Sequence, residues 1–321
     1  IKMEYRKLIK FGNSSHVVSI PNEWIKRNNL KKGDTLYLSE NGSNELILSP
    51  KVDTTNLNGG VKEIIIDISN CTTNDIKTKL TSAYLNDHTE IKITGSNLKQ
   101  NISFVRECIQ NLVALEIVEQ TGDSIITRDF LNMNEVSVKD LIRKMDIITR
   151  SMISELPLIL KENASEFMRQ REMDVNKLFY VVLRVVRAGL KNPQYANTIK
   201  CSSTYLFIAW NIANHIEKIA DHIAELANYA TKGKFTEGEI RFINSTFTDI
   251  NKFYSDVMKA YYNSDLELAY KVTSYKRGFI SNLTGNIIIS KKSKNPIFSY
   301  MLDRLIIITN EINNVARRVY S

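Results

Sequence analysis

The sequence predicts a multidomain α+β protein: a β-rich mini-barrel in residues 1–50, a small α/β module in 61–132 and an all-α bundle in 135–321. Three observations predict it. Short apolar runs separated by turn residues fill the front of the chain. Strand-like and helix-like runs alternate in the middle. Apolar residues then recur at three- and four-residue spacing to the end. The 321 residues are 43% hydrophobic and 24% charged, with only 12 Gly and 5 Pro, which excludes a disordered or collagen-like chain.

In the front zone, Lys7 to Lys10 and His16 to Ile20 read as strands and Asn22 to Asn28 as a short helix after Pro21. Thr35 to Leu38 and Leu46 to Leu48 read as two more strands joined through Asn41-Gly42. A unit this small rarely buries enough surface alone, so a second copy is expected to complete its core. A polar linker follows from Lys51 to Gly60. In the module, Val61 to Ile68, Glu90 to Thr94, Leu115 to Glu119 and Ser124 to Arg128 read as strands, and Asn74 to Leu85 and Ile102 to Val113 as helices. Six amphipathic segments complete the chain: Val136 to Lys161, Ser165 to Leu190, Tyr205 to Ala230, Ile240 to Asn263, Leu266 to Asn282 and Pro296 to Tyr320. They are expected to pack as two three-helix halves.

Charge and special residues narrow the function. There are 43 Lys plus Arg against 35 Asp plus Glu, a net charge of +8. Seven cations, Arg6, Lys7, Lys10, Lys26, Arg27, Lys31 and Lys32, face only Glu23 and Asp34 in the stretch from Arg6 to Leu38. Doubled by dimerisation, this is a surface for phosphate backbones, although charge alone fits a solvated face as well. A second basic stretch, Lys271, Lys276, Arg277, Lys291, Lys292 and Lys294, has no acid within it and fits a solvated loop, a DNA contact or a dock for an acidic partner. Cys71, Cys108 and Cys201 are far apart with no CxxC pair, which excludes a zinc ribbon and predicts free thiols in a reducing compartment. No run of about 18 apolar residues and no signal-peptide order occurs, so a cytoplasmic protein without membrane insertion is expected, with Met3 as its natural start.

An enzyme is not expected. GxSxG, HExxH and Walker motifs are absent, Asn58-Gly59-Gly60 lacks the Lys-Ser/Thr of a P-loop, and His16, His88, His215 and His222 form no recognisable triad. A di-iron oxidase needs Glu-x-x-His pairs on two helices, and none is present. The most informative helix is Tyr205 to Ala230. On a wheel of about 100° per residue, Asn214, Glu217, Asp221, Glu225 and Asn228 share one arc beside a separate apolar arc. Carboxylates one turn apart can converge on a cation, and they equally suit an ordinary solvated face. His215 and His222 point away from this stripe.

Two resemblances sharpen these readings. The front zone resembles the SpoVT-AbrB (MazE-like) swapped-hairpin domains through Lys10-Phe11-Gly12-Asn13-Ser14, Ile20-Pro21 with Trp24, Leu30-Lys31-Lys32-Gly33-Asp34 and the strand Glu45 to Pro50. The resemblance implies an obligate homodimer whose first hairpins enter the major groove of double-stranded DNA. Arg6, Lys7 and Lys10 would reach phosphates or guanine edges, and Asn13 and His16 would make neutral contacts. Some members of the family only dimerise or hold a partner.

The final zone resembles the PhoU phosphate-uptake regulators through Glu217-Lys-Ile-Ala-Asp221 with His222 and Glu225, and through Arg171-Glu172-Met-Asp174-Val-Asn176. That implies two three-helix repeats carrying metal clusters on E(D)xxxD motifs. The set carried over is Glu172, Asn176, Glu217 and Asp221, with Asp174 in reserve, for a divalent metal or iron of unknown identity. Asn176 stands where the family has an acid, which lowers affinity for a hard cation. In the second half, aligning Glu217 with Asp303 puts Asp221 on Ile307, and Arg277 and Ser281 fall at the partner positions, so a cation site there is lost. The middle zone looks like the connecting module of archaeal PhoU-like proteins with an AbrB domain, a spacer or a dimer contact. The expected function is a DNA-binding transcriptional regulator of phosphate uptake with a metal- or partner-responsive bundle. The alternative is an adaptor that contacts a phosphate transporter ATPase or sensor kinase, its front domain serving only dimerisation.

Overall fold

The computed structural model describes residues 4–40, 46–50, 62–161, 164–293 and 295–320, without the side chains of 39–40 and 286–293. The Asn41-Gly42 turn and the Lys51 to Gly60 linker lie outside the described residues. The chain divides into two compact units, residues 1–60 and 61–321.

In the first unit, β1 (Ile9–Phe11) and β2 (Ser15–Val17) form one antiparallel hairpin, and β3 (Tyr37–Glu40) and β4 (Leu46–Ser49) another. Gly12, at φ 69°, supplies the left-handed residue in the tight connection of the first hairpin. Between the hairpins, Pro21 opens α1 (Asn22–Arg27), its carbonyl accepting from Trp24 and Ile25. The Lys31 amide then donates to Asp34 Oδ2 at 2.7 Å in a turn that contains Gly33 at φ 99°. Within one chain the two ribbons are separate two-stranded sheets, and the expectation from the sequence is that a second copy completes the mini-barrel.

The second unit opens with a two-layer α/β module. Its strands are β5 (Glu63–Asp67), β6 (Glu90–Thr94), β7 (Leu115–Gln120) and β8 (Ser124–Asp129), in the order β5-β6-β8-β7 with only β5 and β6 parallel. Alternation puts Ile66, Ile91, Ile93 and Ile125 on one buried face, packed with Ile76, Leu80 and Tyr84 of α2 (Thr73–Leu85) and Leu98 and Val105 of α3 (Leu98–Gln110). A reciprocal capping box between Thr72 and Asp75 starts α2. Gly95, at φ 149°, is required after β6 because a Cβ there would stand 2.8 Å from the Ser69 amide.

The remainder is helical: α4 (Val138–Ser154), α5 (Ser165–Lys191), α6 (Pro193–Thr198), α7 (Ser203–Ala230), α8 (Glu237–Asn263), α9 (Leu266–Ser293) and α10 (Pro296–Arg317). Among the six long helices, α4, α5 and α7 each pack on the other two, as do α8, α9 and α10, and the α7–α10 and α4–α8 contacts join the sets around one apolar core. Two segment ends differ from expectation by more than three residues. The first helix stops at Ser154, because Pro157 cannot continue it and the chain turns through a 3-10 segment, Leu156–Leu160. The fifth runs on past Asn282 to Ser293, since Gly285 weakens a helix without ending it.

A buried seam locks module to bundle. The Arg184 side chain on α5 is 3% exposed, donates to Asp129 Oδ2 at 2.6 Å and Asp87 Oδ1 at 3.1 Å, and lies over the Tyr84 ring at 4.3 Å. One turn on, Arg187 donates to the Leu85 carbonyl at 3.1 Å and to Asn86 Oδ1 at 3.0 Å.

Candidate nucleic-acid interface and acidic cluster

The first hairpin sorts its residues by the period of two. Ile9 pairs with Val17 and Phe11 with Ser15, while Lys10 stands opposite His16, so Ile9, Phe11 and Val17 share one face with Ser15, and Lys10 and His16 share the other. Asn13 sits in the connecting turn and Lys7 precedes β1, and both are exposed. The structure therefore brings Lys10 and His16 together with Asn13 at the tip of one ribbon. Lys7 and Lys10 have no ion pair among the described residues, whereas Arg6 is paired with Glu4. No described residue of this unit is buried. Leu8, Phe11, Leu38 and Leu46 are between 61% and 70% exposed, so the hairpins carry the apolar side chains of a core without enclosing one.

In the bundle, α5 and α7 bring Glu172, Glu217 and Asp221 together. Burial first, then the negative charge of Asp221, pushes the Glu172 carboxyl up to about 7. Glu217 is raised to about 7 by burial and by the charges of Asp221 and Glu172. Asp221 is raised mainly by burial, against the lowering effect of its hydrogen bond from Glu172. Glu172 and Asp221 are hydrogen-bonded carboxyl to carboxyl, and Lys77 of α2 favours the charged form of both.

Asn176 bonds Tyr180, whose hydroxyl also bonds Thr81 of the module. Asp174, the reserve ligand, is exposed and 3.8 Å from Lys177, away from the cluster. Glu225 leaves the stripe to meet Arg304 at 3.1 Å and His222 at 3.3 Å. His215 is buried against Glu311 at 2.6 Å, and its hydrogen bond holds that carboxyl below the usual range. Among the described residues, no group of three or more His, Cys, Asp or Glu is arranged to hold a metal ion. The oxygen donors suit a hard cation in kind, and burial with repulsion by neighbouring carboxylates raises the carboxyls of Glu172, Glu217 and Asp221.

Sequence reasoning missed Lys77, Tyr180 and Arg184. For Arg184 a signal exists: it interrupts the apolar run Val181-Val182 and Val185-Val186, where an arginine needs a buried partner.

A family model described as antidote-toxin recognition MazE, bacterial antitoxin, matches residues 9–56. The front of the chain is accordingly an AbrB-like segment, and the remaining residues lie outside that match. No curated protein and no solved structure matches the chain. No helix among the described residues is long and apolar enough to cross a membrane.

Proposed function

We propose that this protein is a dimeric, cytoplasmic, non-enzymatic DNA-binding regulator of phosphate uptake, with the front hairpins as reader and the helical bundle as the responsive part. The observation that carries the reading is that no described residue of the first unit is buried, beside a hairpin that presents Lys10, His16 and Asn13. Pairing two copies through Leu8, Phe11, Leu38 and Leu46 would bury those side chains, close the swapped-hairpin barrel and double the basic surface. The MazE match supports a dimerising, DNA-binding fold for this segment. The phosphate assignment and the two-repeat reading of the bundle come from the resemblance of the Glu217 to Asp221 and Glu172 to Asn176 motifs to PhoU proteins. What the bundle responds to is a cation at these acids or a partner protein, and a cation would have to compete with protons at the raised carboxyls.

Arg6 favours the second reading, an adaptor to a transporter ATPase or sensor kinase, because its guanidinium is already engaged by Glu4. A gel-shift titration on duplex DNA separates the two. The regulator weakens steeply as salt rises, and Lys7→Ala with Lys10→Ala lowers the slope of log K against log salt by about 0.9 for each phosphate that is no longer neutralised. Binding that ignores both salt and these substitutions refutes the operator reading and leaves the adaptor.

A further inference from the structure

The helices α8 and α9 form a hairpin about Ser264, whose φ of 52° turns the chain and whose neighbour Asp265 accepts the Leu268 amide at 2.9 Å. Between them lies a groove of about 710 Å³, walled by Phe253, Val272 and Phe279 and reaching Thr309 of α10. That size falls in the range of small-molecule sites, which are apolar with a few placed charges.

The charge is uneven. From Leu268 to Leu302 the chain has six cations and no acid, against a net charge of +8 for the whole protein. Of these cations, Lys271 and Lys276 line the groove. On the facing helix Lys252 stands between Asp249 and Asp256, so the α8 wall carries both signs while the α9 wall is positive. Among the described residues none of the three lysines has an ion pair.

Gly278 is the third observation. It lies inside α9 on the groove wall, and a Cβ there would meet nothing within 4 Å. Glycine inside a helix costs stability relative to alanine, so its effect here is to leave the wall open. We propose that the α8–α9 groove binds an organic anion with an apolar body, its acyl or aryl part against Phe253, Val272 and Phe279 and its acid at Lys271 and Lys276.

Calorimetric titration of the full chain with dodecanoate, dodecanol and acetate tests this. Expected are one saturable dodecanoate site per chain, dodecanol weaker by about tenfold or more, and no acetate binding. Gly278→Phe fills the groove and should abolish binding while melting at or above the wild-type temperature. Lys271→Glu with Lys276→Glu, both outside the core, should weaken dodecanoate by about tenfold or more and leave dodecanol unchanged. Absence of a saturable site, wild-type binding by Gly278→Phe, or equal affinity for acid and alcohol overturns the proposal. A second copy of the chain filling the groove would show as the first of these, with a mass that falls on Gly278→Phe substitution.

Discussion

Glu172 and Glu217 make the residue-scale behaviour definite. Both carboxyls are raised to about 7 in the folded chain from an ordinary 4.5, so between those values the folded state holds protons that the unfolded state has released. Stability from these groups is therefore greatest below about pH 4.5 and falls as pH rises through 7. Thermal melts from pH 5 to pH 7.5 should show that decline, and Glu172→Gln with Glu217→Gln should flatten it; a double variant with the wild-type slope contradicts the burial argument. Half of this site was legible in the sequence. Glu217 and Asp221 sit one helical turn apart, and that spacing alone puts them on one face. That Glu225 would turn to Arg304, and that Glu172 would meet Asp221 across two helices, depends on packing that no local period encodes.

Elements were legible wherever one face meets a core. The alternation of Glu90 to Thr94 and the three-four spacing of α7 match the observed strand and helix closely, because burial enforces the period. Element ends set by a single residue were harder, as at Pro157, and so was α6, a single turn and a half capped by Asn192. The seam between module and bundle was not legible, since it joins residues from 55 to 102 positions apart. It should be energetically steep. Arg184→Met leaves Asp129, 5% exposed, as a buried charge without its cation, and a loss of about 3 kcal/mol or more is expected by urea unfolding. Arg187→Ala removes half-buried hydrogen bonds and should cost about 1 kcal/mol. Equal small effects would show that the seam does not hold module to bundle.

For the whole molecule, two kinds of unit share one chain. Residues 61–321 enclose their apolar side chains in two continuous cores, whereas the described residues of 1–60 enclose none. The expectation of a second copy comes from length, because a unit of some 45 residues rarely buries enough surface alone. Leu8, Phe11, Leu38 and Leu46 are the exposed apolar side chains that the proposed pairing would cover. Sedimentation equilibrium of the full chain at micromolar concentration, beside a Phe11→Ser with Leu38→Ser variant, tests this most directly. A wild-type mass of twice 36.8 kDa that the variant loses is the predicted result, and a wild-type protein that sediments as one 36.8 kDa chain contradicts it.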